Sequence, residues 1–253
     1  MFCRPIRLMV VVATVCSGCT GAEQTSDFSI LVSNLGAGEI VAFDGSGEWL
    51  RTVVGEEELP EDAVYDRFAP SDVAMIDEGL LVSNFATGQL ILLDPESGAF
   101  LREFSPGFGT TPAGDWAEVE EPCQMIVDDN HLLVLGNDSK NVLSWNAAGH
   151  LEMSFGGKGV MGAGHGFAMV GDDQMVVAIS PIHPWSGLLQ LWDVSTHRKI
   201  ADFGPYGELL EGTDIIALDE ETVLVADWFG KRLVAYDLTT RRSIHLWHTE
   251  DLG

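Results

Sequence analysis

GLLVSN (residues 79–84), followed four residues later by QLILLD (89–94), is one copy of a pattern that this chain uses five times. The other copies are SILVSN (29–34) with EIVAFD (39–44), HLLVLG (131–136) with NVLSWN (141–146), QMVVAI (174–179) with LLQLWD (188–193), and TVLVAD (222–227) with RLVAYD (232–237). In four copies the third apolar residue of the first run lies twelve positions before the Asp or Asn that closes the second: Val32 to Asp44, Val82 to Asp94, Val134 to Asn146 and Val225 to Asp237. Val177 to Asp193 is longer by four. The copies recur every 43 to 52 residues. A β-rich unit repeating at that interval buries its faces against the neighbouring copies, as in a propeller or solenoid.

The expected fold is therefore all-β, a β-propeller of about five four-stranded blades. Copy two shows the four runs of a blade: Val73 to Ile76, Leu80 to Asn84, Gln89 to Leu93, and Ala99 to Phe104. Tight acidic turns such as Asp77-Glu78-Gly79 join first runs to second. Turns such as Asp44-Gly45-Ser46-Gly47 and Asn146-Ala147-Ala148-Gly149 join third to fourth, with Asx side chains positioned to bond their own backbone. The first copy lacks a first run, and the last copy ends with a fourth run from Ser243 to Trp247, so one blade is expected to be incomplete.

Because strands of a meander alternate in direction, both short turn classes lie at one end of each blade. The long connections lie at the other: Gly55 to Ser71, Ser105 to Pro122, Gly156 to Gly166, Ile179 to Gly187 and Gly204 to Thr213. Loop variation at one end of a repeat scaffold marks that end as the binding face. Trp116, His165, His183, Trp185 and Trp228 fall there and are the candidate ligand-binding residues. Trp185 stands in the loop that makes copy four longer by four residues, SPIHPWSG (180–187), either as a recognition tip or as an apolar plug. Trp145, Trp192, Tyr236 and Phe43 recur one residue before the closing Asp or Asn and belong to blade packing.

Two positions past the repeated valine the copies read Asn34, Asn84, Gly136, Ile179 and Asp227. With Asp72 and Asp214 at the starts of inner runs, these oxygens form a candidate channel mouth able to hold a hard cation such as Ca²⁺. The same residue types also end strands by side-chain to backbone bonds. The seven histidines show no HxH or HxxxH spacing, so no metal set is assigned and no cofactor is expected, Ca²⁺ at the mouth aside. Cys123 opens an inner run and reads as a buried small hydrophobe.

The N-terminus MFCRPIRLMVVVATVCSGCTGAEQ has arginines at 4 and 7 and an apolar run from Leu8 to Val15, too short to span a bilayer and of the export-signal type. Ser17-Gly18-Cys19 resembles the lipobox of bacterial lipoproteins, although Cys16 stands where leucine is usual. The resemblance implies a signal peptide over 1–18, a lipidated Cys19 with a polar tether to residue 27, and a propeller domain over 28–253. It also implies a location in the bacterial cell envelope, at the outer membrane where there is one, with membrane contact through the lipid alone. An ordinary cleaved signal is the alternative.

Formal net charge is −26, and loss of Arg4 and Arg7 would take it to about −28. Such a surface repels nucleic acid and anionic lipid. It suits either solubility outside the cytoplasm or attraction of basic partners.

The stretches FGGKGVMGAGHGFAMVGDDQMVVA and FGPYGELLEGTDIIALDEETVLVADWFGKRLVAYD resemble the NHL-repeat pattern, in which Phe-Gly closes a blade and a Gly-rich loop precedes the next strand. The resemblance covers residues 28 to 253 and implies kinship with six-bladed propellers. Members of that group serve as partner-binding platforms, lactone hydrolases and lyases. Two functions are thus carried forward. The first is non-catalytic binding of a protein, peptide or glycan through the long-loop face. The second is a Ca²⁺-dependent hydrolase, lactonase or lyase at the channel mouth, drawing on Asn84, Asp227, Asp214 and His165. The calcium-dependent lactonases carry an acidic residue in a Gly-Glu-Gly-Pro-like context near the domain start, and this chain has none there.

Overall fold

The computed structural model describes residues 30–63, 67–105, 107–127, 131–179, 187–204 and 208–248. They form five antiparallel meander sheets in a five-blade propeller arrangement, as the repeat spacing predicts. Among the described residues no helix is long and apolar enough to cross a membrane.

The first sheet has three strands, β1 (Ile30–Asn34), β2 (Glu39–Phe43) and β3 (Trp49–Gly55). The second has four, β4 (Pro70–Ile76), β5 (Gly79–Asn84), β6 (Leu90–Leu93) and β7 (Phe100–Ser105). A separate two-stranded hairpin follows, β8 (Phe108–Thr110) with β9 (Trp116–Glu118). The third sheet runs β10 (Pro122–Val127), β11 (His131–Gly136), β12 (Asn141–Asn146) and β13 (Leu151–Gly156). The fourth holds β14 (Gly164–Val170), β15 (Gln174–Ile179), β16 (Leu188–Asp193) and β17 (Arg198–Phe203). In the fifth are β18 (Gly212–Ala217), β19 (Thr222–Asp227), β20 (Arg232–Asp237) and β21 (Arg242–His248). The hairpin within the 105–122 connection is the one element that the reading of that stretch as an irregular loop omits.

The described residues divide into two compact units, one reaching Val134 and including Ser144–Met153, the other comprising Leu135–Leu143 and the chain from Ser154. In the first unit, Leu31, Ile40, Val54, Val73, Leu80, Val82 and Ile91 form one apolar core from the first two sheets. In the second, Val176, Ala178 and Leu191 pack with Ile215, Val225, Val234 and Tyr236. Every residue of β5 is buried, on both faces. Continuous apolar runs instead of strict alternation are what strands covered on both sides require. The outermost β21, covered on neither, is exposed over most of its length.

The Phe-Gly at the end of a blade acquires a packing role here. Phe155 lies 6.3 Å from Trp192, and Phe203 meets Tyr236 edge-on at 6.0 Å. In each pair the Phe closes one sheet and its partner sits one residue before the Asp that closes the third strand of the next. The Asx turns form as read: Asp44 Oδ1 accepts the backbone N–H groups of Ser46 at 2.8 Å and Glu48 at 3.0 Å, and Asn146 Oδ1 accepts those of Ala148 and His150, both at 3.1 Å.

Candidate functional site

Three of the inner strands carry a register shift one residue into the pairing, at Pro70/Asp72, Gly164/Gly166 and Gly212/Asp214. A bulge re-aims the side chain beside it. In the first unit it turns Asp72, 1% exposed, toward the next inner strand. There its Oδ2 accepts the Met125 N–H at 2.6 Å while its Oδ1 accepts that of Val73 at 2.7 Å. In the second unit β14 and β18 run side by side, and a Cβ at Gly166 would fall 2.8 Å from the Asp214 Cα, so the close approach requires glycine. Asp214 Oδ1 accepts the N–H of Ile215 at 2.8 Å, and burial pushes its carboxyl above the usual carboxylate range.

Of the residues two positions past the repeated valine, the three polar ones, Asn34, Asn84 and Asp227, act as strand-end caps. Asn84 is fully buried: its Oδ1 accepts the Ala69 N–H at 2.9 Å and its amide donates to the Arg67 carbonyl at 2.9 Å. Asp227 does the same for the 208–211 segment, where its Oδ1 accepts the Glu211 N–H at 2.9 Å. Its Oδ2 receives the Arg232 Nε–H at 2.8 Å. Asn34 caps its own turn, accepting from Ala37 and donating to Glu39 Oε1 at 3.0 Å. N–H donors thus occupy both oxygens of Asp72 and Asp227 and the side-chain oxygens of Asn34 and Asn84. Among the described residues no three His, Cys, Asp or Glu side chains converge as a metal-holding group.

His165 lies at the start of β14, its Nε2 3.6 Å from Glu211 Oε1, with both side chains largely buried. Asn137 donates to the Gly164 carbonyl at 3.2 Å beside it. Glu211 accepts the Trp228 N–H on its carbonyl at 2.9 Å, so the 208–211 segment is bound to the β19–β20 connection from both sides. His165, Glu211, Asp227 and Trp228 are therefore neighbours, and Trp228 and Phe229 project from this framework at 53% exposure each.

In the first unit Trp116 is 62% exposed and Phe108 44%, their ring centroids 5.3 Å apart. Sequence reasoning found Trp116 and Trp228 as loop aromatics but missed Phe108, Phe229 and the carboxylate of Glu211. The alternation of Phe108, Thr110, Trp116 and Glu118 around Pro112-Ala113-Gly114 is the hairpin signal that would have exposed the first of these. His183, Trp185 and Cys19 lie outside the described residues. Cys123 is buried, as read, and its thiol donates to the Glu121 carbonyl at 3.5 Å.

At the short-turn end of the second unit a shallow groove of about 330 Å³ is lined by Gln174, Leu191, Ile200, Glu220, Leu238 and Arg241 among others. None of the described candidate residues lines it.

No protein-family model matches this sequence, and no curated protein does. Solved structures do match the fold. It is that of a β-propeller. A structure described as the crystal structure of the nidogen/laminin complex superposes with a TM-score of 0.68 at 11% identity, over 96% of this chain and 81% of that one. The structure of U3-55K superposes with a TM-score of 0.62 at 14% identity, over 87% of this chain and 61% of that one. At these identities the likeness is one of fold, which hosts many functions.

Proposed function

We propose that this protein is a non-catalytic propeller platform that binds a protein, peptide or glycan partner through the long-connection end of its blades. The observation that carries the reading is the state of Trp116 and Trp228. Both are more than half exposed on connections pinned by backbone hydrogen bonds, and an ordered, solvent-facing tryptophan is the residue type most enriched at binding hot spots. The 81% coverage of a propeller described in a complex with another protein supports the same reading. A cation-dependent reaction at the channel mouth is less favoured, because the oxygens it would draw on already accept N–H groups.

In the same reading the protein is an NHL-type propeller held at the bacterial envelope by a lipid on Cys19. The Phe-Gly pairings and the lipobox-like Ser17-Gly18-Cys19 support it. Two acyl signals suffice for stable anchoring, since each buried CH₂ adds about 0.8 kcal/mol.

The test is a peptide and glycan array probed with the wild-type protein and with Trp116→Ala and Trp228→Ala. Specific ligands whose signal falls in either variant support the platform. Ligands bound equally by all three proteins would contradict it. For the anchor, expression in a bacterium should give a detergent-partitioning protein that moves to the aqueous phase on Cys19→Ser, whereas a soluble wild-type protein beginning elsewhere would refute it.

A further inference from the structure

Trp116 belongs to the β8–β9 hairpin, which is built as a one-sided platform. Its registers pair Phe108 with Glu118, Gly109 with Ala117 and Thr110 with Trp116. Because side chains alternate across a strand, Gly109 and Ala117 face inward, where a Cβ at Gly109 would meet Leu151 at 3.5 Å. Phe108, Thr110, Trp116 and Glu118 face solvent. The base is clamped. Val119 donates its N–H to the Gly107 carbonyl at 2.8 Å, and Gly107, at φ 82°, lies so close to the Gly88 carbonyl that no side chain fits. At the tip the Thr111 N–H donates to the Asp115 carbonyl at 2.9 Å. A clamped pair of tilted aromatic rings is thus displayed to solvent.

Charge identifies the occupant. Residues 107–121 contain Asp115, Glu118, Glu120 and Glu121 and no lysine or arginine, within a chain of net charge −26. The second exposed aromatic pair, Trp228 and Phe229, is instead followed by Lys231 and Arg232. An aromatic face beside carboxylates attracts a cation, and guanidinium suits it better than ammonium because it stacks flat on a ring while its N–H fork meets a carboxylate. We propose that the Phe108–Trp116 face docks an arginine side chain presented by a protein partner, with Glu118 as counter-charge. The inference rests on the platform reading above and names its partner's chemistry.

The probe is an acetylated and amidated peptide, Gly-Arg-Gly-Gly-Arg-Gly, titrated into protein with ¹⁵N-labelled tryptophan. Its control carries citrulline, the uncharged isostere, at both arginine positions. The Trp116 indole resonance should shift saturably with the arginine peptide, and affinity should fall about tenfold in Trp116→Ala and severalfold with citrulline or in Glu118→Gln, with thermal midpoints unchanged. Absence of a saturable Trp116 shift, or equal binding of the citrulline peptide, overturns the proposal. A shift confined to Trp228, or a glycan that moves Trp116 while the arginine peptide does not, also overturns it but leaves the platform reading intact.

Discussion

Asp72 accepts the backbone N–H of Met125 at 2.6 Å across 53 residues of sequence, and this single buried carboxylate ties the inner strand of one blade to that of the next. Removing it would leave the N–H of buried Met125 without its acceptor, at a cost of about 1–3 kcal/mol. Asp72→Ala should therefore lower stability by roughly that amount in urea unfolding, with an unchanged m-value. Asp72→Asn should be costly as well if its amide must face the Met125 N–H. A wild-type-like midpoint for Asp72→Ala would show that the strand pairing holds without the link.

The repeated valines and the Asx turns were legible in the sequence because they are local: a strand alternates or runs apolar within six residues, and Asp44 bonds groups two and four residues on. The Asp72–Met125 link and the His165–Glu211 approach were not, since they depend on how separate sheets meet. Trp116 was legible as a loop aromatic. Its partner Phe108 was hidden because the strand pair holding them is three residues long, and so short an alternation reads as loop.

The closing aspartates of four copies make an acid prediction. Asp44, Asp94, Asp193 and Asp237 are held below the usual carboxylate range, Asp44 and Asp94 chiefly by side-chain hydroxyls (Ser46 and Ser97) and Asp193 and Asp237 by backbone N–H groups (Thr196 and Thr240). A carboxylate with a depressed folded pKa contributes stability above its unfolded value, near 3.9, and loses it as pH falls through the folded value. Replacing all four with asparagine should flatten the decline in melting temperature below about pH 4. An unchanged acid limb would mean that other carboxylates carry it.

Burial pushes the Tyr236 phenol upward, and its buried hydroxyl has no hydrogen-bond partner among the described residues. Tyr236→Phe should then be neutral or stabilising, within about 1 kcal/mol, because it removes an unmet polar group and little volume. The sign at alkaline pH follows. Unfolded tyrosine ionises near pH 10 while the folded phenol keeps its proton, so wild-type stability falls above that value and the variant's should fall less. A clear loss of stability in Tyr236→Phe would refute this.

Asp227 holds the 208–211 segment and Arg232 at once, and Gly230 lies so close to its carboxylate that no Cβ fits. Asp227→Ala would strip a buried acceptor from several donors, so a loss of about 3 kcal/mol or more and faster amide exchange at Leu210 and Glu211 are expected. Unchanged exchange there would show that Glu211 and Trp228 are positioned by other contacts.

The central claim, binding through the long-connection end, is tested most directly by fluorine NMR on protein carrying 5-fluorotryptophan at its seven tryptophans. The titrant is the tightest-binding member of the peptide and glycan array. Trp145 and Trp192 are buried in the blades and should stay fixed, Trp49 and Trp247 on outer strands should stay fixed as well, and Trp116 or Trp228 should shift with saturation. Saturable shifts at Trp49 or Trp247 with Trp116 and Trp228 unmoved would place the binding surface on the blade edges and contradict the account.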